Sequence, residues 1–229
     1  MERDVIIACD FPSKKQFNQF IIHFKKEKPF LKIGYQLFYA VGKEFITKLI
    51  NDGYRIFLDL KLHDIPNTVE EGIKHLVTLG IDFITIHAAG GMKMMEAAVK
   101  GVKGTRTKIL AVTQLTSISQ EILEKELLID RKIADVVHHY ALSALEAGVH
   151  GVVCSGQECQ YIKEKISNDL ICVTPGIRLD DHKNDQMRTS TPRGARMNKS
   201  NFIVVGRPIT RANNPLEAYH QFKKEFTKG

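Results

Sequence analysis

Val5-Ile6-Ile7-Ala8-Cys9-Asp10-Phe11-Pro12 is the stretch that decides the fold. Its opening is short, continuously apolar and rich in β-branched residues, as a strand buried on both faces must be. An open doubly wound sheet would place a glycine-rich turn after such a first strand. Here the run passes into Asp10-Phe11-Pro12, with no glycine. Similar runs begin near Leu31, Ile56, Phe83, Ile109, Gly151, Ile171 and Phe202, bounded by Gly, Pro, Asp or Ser. That gives eight candidate strands.

Between them the apolar period becomes helical. Phe17, Phe20, Ile21 and Phe24 follow the i, i+3, i+4, i+7 rule, which predicts an amphipathic helix over 13–28 with Ser13 as N-cap. Val69, Ile73, Leu76 and Val77 repeat the pattern after Pro66, a residue suited to a first helical turn, and Gly80 is placed to end it. Ile133, Val136, Val137 and Tyr140 form a further stripe before Gly148. No linker, low-complexity tract or compositional shift divides the chain. Eight strand–helix units in one uninterrupted domain, residues 1–229, predict a single-domain (β/α)8 barrel of the α/β class.

Composition narrows the function classes. The 229 residues are 43% hydrophobic and 26% charged, which suits a folded core and excludes global disorder. No apolar run reaches the ~20 residues of a membrane helix, and Met1-Glu2-Arg3-Asp4 does not open a signal peptide. Cys9, Cys154 and Cys172 sit in apolar runs, and Cys154 with Cys159 lacks zinc-ligand spacing. These read as reduced structural thiols in a cytoplasmic protein, with no metal site. The net charge of +7 is spread over predicted helix faces without interleaved aromatics, which favours a solvated surface over nucleic-acid binding.

Chemistry in such a barrel gathers at the C-terminal strand ends. Those ends carry Asp10, Lys32, Asp59 with Lys61, His87, Thr116, Ser155, Arg178, and Gly206 with Arg207. In Asp59-Leu60-Lys61-Leu62-His63-Asp64, strand alternation sends Asp59 and Lys61 to one face and the leucines to the other. Charges in a barrel mouth must compensate each other or a ligand. Lys32 and Asp64 extend that set beyond a simple internal salt bridge. Gly206-Arg207 follows the eighth run, where this fold commonly binds phosphate, and the polar segment 178–192, with Arg178, Lys183, Gln186 and Arg188, can fold over an anion. A lone His87 at a strand end is more often a core histidine.

The stretch Asp59-Leu-Lys-Leu-His-Asp-Ile-Pro-Asn-Thr68 resembles the signature of the orotidine 5′-phosphate decarboxylase family. Supporting matches are Ala8-Cys-Asp10, Leu31-Lys-Ile-Gly34, Ala111-Val-Thr-Gln-Leu-Thr-Ser117, Val173-Thr-Pro-Gly-Ile-Arg178, Asp185-Gln186 and Ile203-Val-Val-Gly-Arg-Pro-Ile-Thr210, so the resemblance spans essentially the whole chain. It implies decarboxylation of orotidine 5′-monophosphate to UMP and CO2 in de novo pyrimidine synthesis, without metal or organic cofactor. It also implies a homodimer with active sites at the interface. By the same resemblance Lys61 protonates C6, Asp59 faces the leaving carboxylate, and Lys32 completes the charged network near the ribose. Asp64, Ile65 and Thr68 are expected to reach across from the second subunit. Asp10 would bind ribose hydroxyls, Thr116 the pyrimidine, and Arg178, Gln186, Gly206 and Arg207 the phosphate. Asn184 departs from the glycine common before Asp-Gln, and 188–200 is unusually basic. The alternative is a Mg²⁺-dependent keto-sugar-phosphate decarboxylase or aldol-type lyase of similar design, for which a lysine at position 32 repels the divalent ion.

Overall fold

The computed structural model describes residues 3–179 and 189–228. Its strands are β1 (Asp4–Ala8), β2 (Phe30–Gly34), β3 (Ile56–Leu62), β4 (Phe83–His87), β5 (Lys108–Val112), β6 (Gly151–Val153), β7 (Ile171–Thr174) and β8 (Phe202–Val205). Each pairs in parallel with the next, and β8 returns to β1 in the register Asp4↔Phe202 to Ile7↔Val205, so the sheet closes. The predicted single-domain (β/α)8 barrel is the observed fold.

Closure sorts each strand's residues by parity. Ile6, Phe30, Phe57, Phe83, Leu110, Val173 and Phe202 share one buried cluster, whereas Val5, Ile7, Leu31, Ile33, Leu58 and Ile84 belong to the larger cluster beneath the helices. The inner cluster is strongly aromatic. Phe83 lies 5.1 Å from Phe30, 5.9 Å from Phe57 and 5.2 Å from Phe202 by ring centroid. These rings plug the barrel core, and residues of the same parity further along β1, β2 and β3 are Asp10, Lys32 and Asp59. The strands thus change from apolar to charged as they approach their C-terminal ends.

The helices that complete the shell include α1 (Lys14–Ile21), α2 (Tyr35–Asn51), α3 (Pro66–Val77), α4 (Met92–Gly101), α5 (Gln120–Lys125), α6 (Ile133–Glu146), α7 (Gly156–Tyr161), α8 (Pro192–Met197), α9 (Arg207–Thr210) and α10 (Pro215–Thr227). Ser13 caps α1 as expected, its Oγ accepting from Gln16 N at 3.3 Å, but α1 is shorter than the 13–28 span and tightens to a 3₁₀ turn at Ile22–Phe24. Pro66 begins α3, and Gly80 lies beyond its end at φ +80°. No helix among the described residues is long and apolar enough to cross a membrane.

Candidate active site

A cavity of about 700 Å³ opens at the C-terminal ends of the strands, with Asp10, Lys32, Asp59, Lys61, Arg178 and Arg207 in its wall. At its centre is Asp59, whose residue surface is 7% exposed. Lys61 Nζ donates to Asp59 Oδ2 at 2.9 Å, and Lys32 Nζ lies 3.2 Å from the same oxygen. Lys32 also donates to Asp10 Oδ1 at 3.0 Å. The result is a chain of alternating charge, Asp10–Lys32–Asp59–Lys61.

Burial alone would raise the Asp59 pKa, but Lys32 and Lys61 together outweigh it and hold the carboxyl below its ordinary range. Burial likewise works to discharge Lys32, yet Asp59 and Asp10 reverse that and raise its pKa. Each ion is therefore kept charged by its neighbours. For His87 the support of Asp59 is outweighed. Burial, then His63 and Lys61, lower its pKa, so it is neutral at pH 7, its ring 5.5 Å from that of His63.

The expected facing of Asp59 and Lys61 to one side and the leucines to the other is observed. Both side chains do line the cavity, while Leu60 and Leu62 pack against the helix-side core. The route is irregular, however. The β3–β4 ladder shifts register between Leu58 and Leu62, and Lys61 has φ +48°. A non-glycine residue in that region is uncommon and marks a locally imposed conformation.

The turn after β5 carries Thr116 and Ser117 into the wall, and Gly206 lies with Arg207 on the side reached from β8. A Cβ on Gly206 would meet Ala8 Cβ in ordinary contact at 3.5 Å. Arg178 follows β7, where an isolated bridge, Ile177↔Ser190, ties together the two ends of its segment. Gln186, like Lys183, Asn184 and Arg188, lies outside the described residues. Asp64, Ile65 and Thr68 are exposed on the rim after β3, with Ile65 at 67%.

Ser155 does not belong with the strand-end set. It is 2% exposed and caps α7, its Oγ accepting from Glu158 N while its own N–H donates to Glu158 Oε2 at 2.7 Å. Conversely, sequence reading missed Thr85, which is fully buried, donates to Asp59 Oδ1 at 2.9 Å and accepts from Lys61 N at 2.9 Å. Its inward parity between Phe83 and His87 was the available signal.

Cys154, Cys159 and Cys172 form a group among the described residues close enough to share a metal ion, their sulfurs within 4.8 Å of one another. Spacing had not suggested it, because Cys172 comes from the next strand. The group is buried, and Cys172 Sγ donates to Leu170 O at 3.7 Å. Hydrogen bonding to its two neighbours, with burial, raises the Cys154 pKa and favours a neutral thiol there.

Residues 3–222 match the family described as orotidine 5'-phosphate decarboxylase / HUMPS. The chain belongs to this family. It is 46% identical over 233 residues to the orotidine 5'-phosphate decarboxylases of Bacillus mycoides (strain KBAB4) and Bacillus cereus (strain B4264), covering 99% of this chain and 98% of each relative. Among solved structures, the orotidine 5'-phosphate decarboxylase from Lactobacillus acidophilus superposes with a TM-score of 0.88 at 43% identity, covering 99% of this chain and 100% of that one. An uncharacterized conserved protein from Geobacillus kaustophilus gives 0.86 at 41%, covering 97% and 100%. The orotidine 5′-phosphate decarboxylase resemblance read from Asp59 to Thr68 is thus matched along the chain.

Proposed function

We propose that the chain, acting as one domain over 1–229, decarboxylates orotidine 5′-monophosphate to UMP and CO2, the closing step of de novo pyrimidine synthesis, with Lys61 protonating C6. The observation that carries this reading is the shared Asp59 oxygen, with Lys61 at 2.9 Å and Lys32 at 3.2 Å inside the cavity.

Loss of CO2 from C6 leaves an electron pair in an sp² orbital orthogonal to the ring π system, where the ring cannot delocalise it. A fixed ammonium beside that carbon stabilises the developing charge, and a preorganised site does this without reorganising at the moment of reaction. Lys61 supplies that charge and then transfers its proton to C6. Asp59 orients Lys61 and faces the departing carboxylate. Lys32, fixed between Asp59 and Asp10, keeps Asp59 ionised as the proton moves. No cofactor takes part in this sequence.

Charge in the wall supports the substrate class. Among the described residues, Lys32, Lys61, Arg178, Arg207 and Arg211 line the cavity together with two carboxylates, Asp10 and Asp59. That positive excess suits a ligand bearing both a phosphate, about −1.5 to −2 at pH 7, and a carboxylate. Arg178, Gln186, Gly206 and Arg207 are assigned to the phosphate, Asp10 to ribose hydroxyls and Thr116 to the pyrimidine. Binding energy from the phosphate then works at the distant reacting carbon.

Asp64, Ile65 and Thr68 are assigned to the neighbouring active site of a homodimer. The exposed Ile65 supports this assignment. The enzyme is read as cytoplasmic, with neither nucleic acid nor membrane as partner. In the Mg²⁺-dependent alternative the cation would have to displace Lys32 from between two carboxylates. Absorbance of orotidine 5′-monophosphate mixed with purified protein in EDTA tests the reading: conversion to UMP supports it, and turnover that appears only with Mg²⁺ overturns it.

A further inference from the structure

Thr85 holds both Asp59 and Lys61 by hydrogen bonds while lying outside the cavity wall. A hydroxyl has one proton and two lone pairs. Thr85 Oγ1 spends its proton on Asp59 Oδ1 at 2.9 Å and receives the Lys61 backbone N–H at 2.9 Å. The first bond fixes the rotation of the carboxylate. With Oδ1 taken, Oδ2 is presented to the ammonium groups of Lys61 and Lys32.

The second bond acts on the backbone. Regular pairing of β3 with β4 would satisfy main-chain groups with main-chain groups, but the register shifts between Leu58 and Leu62. The Thr85 hydroxyl satisfies Lys61 N–H within that irregularity. It does so where Lys61 has φ +48°, a conformation that persists only when surrounding contacts enforce it. Thr85 itself is fully buried on β4 above Phe83 and has no freedom to follow a drifting partner.

We propose that Thr85 is a positioning residue for the decarboxylation, its single hydroxyl holding the Lys61 backbone in the left-handed conformation and turning Asp59 so that Oδ2 receives both lysines. The role rests on the assignment of Lys61 as the acid, and it predicts a loss in kcat rather than in substrate affinity, because Thr85 does not line the cavity.

Steady-state kinetics of Thr85→Val and Thr85→Ser, with UMP affinity measured by calorimetry, test this. In Thr85→Val, kcat falls about 100-fold, the scale of a misplaced reacting group, while KM and UMP affinity change little. Thr85→Ser keeps the hydroxyl and recovers most of the rate. Wild-type kcat in Thr85→Val overturns the proposal, as does a folded Thr85→Ser that is as slow as a hydroxyl-free variant. Thr85→Ser decides the matter alone if the valine variant does not fold. If Lys61→Ala abolishes turnover and Thr85→Val leaves it intact, only the positioning role fails. If Lys61→Ala keeps turnover, the underlying assignment fails.

Discussion

Lys32 and Lys61 reach the same carboxylate oxygen, Asp59 Oδ2, at 3.2 and 2.9 Å. Two ammonium groups so placed repel one another, and the arrangement is held by Asp10 on the outer side of Lys32 and by the burial of Asp59 between them. The pair keeps a carboxylate ionised in a site where burial alone would protonate it.

That balance predicts a stability plateau with two limbs. The Asp59 pKa is lowered from 3.8, burial opposing and the two lysines prevailing, so its contribution is present above 3.8 and is lost as pH falls through the lower folded value. Lys32 is raised from 10.5 against the effect of burial, so its contribution is complete below 10.5 and is lost as pH rises through the higher folded value. Thermal unfolding followed across pH is expected to show both. Lys32→Met should flatten the alkaline limb and cost about 1–3 kcal/mol by urea unfolding at pH 7; an unchanged midpoint contradicts the coupling.

Arg207 tests the phosphate end. A charge-assisted hydrogen bond contributes about 1.5–3 kcal/mol, so Arg207→Ala should lower kcat/KM by about 10–150-fold with the melting temperature preserved. Wild-type kcat/KM in the purified variant places the phosphate elsewhere.

Ile65 tests the assembly. It stands 67% exposed between Asp64 and the start of α3. Ile65→Asp is expected to give a monomer by light scattering and to lose turnover with it, because a buried unpaired charge opposes association. A fully active monomer would mean that each chain builds its own site.

Gly151 tests the barrel. A Cβ there would lie 2.5 Å from Ile171 O and 2.8 Å from Leu110 Cδ2, and the backbone oxygen cannot yield without moving β7. Gly151→Ala should therefore lose about 1–3 kcal/mol of stability, read by urea unfolding. An equally stable variant would contradict this packing.

The barrel was legible in the sequence because strands buried on both faces must be short apolar runs, and all eight observed strands begin within one residue of those runs. Asp59, Lys61 and Lys32 were legible because charges at apolar strand ends need a reason. What the sequence hid depends on departures from regular geometry. The register shift before Leu62 has no compositional mark, and without it the backbone N–H of Lys61 has no evident need of Thr85. Ser155 misled because a strand-end serine serves equally as the cap of the next helix. The three-thiol cluster was hidden for a simpler reason, since spacing along one segment says nothing about Cys172 on the neighbouring strand.

The most direct measurement is the rate of orotidine 5′-monophosphate decarboxylation by Lys61→Ala beside the unaltered protein, with UMP binding as a check on the pocket. Removing both the proton and the charge should slow turnover by at least about 10⁴-fold while UMP still binds. A variant that binds UMP and retains a rate within tenfold of the original would contradict the account.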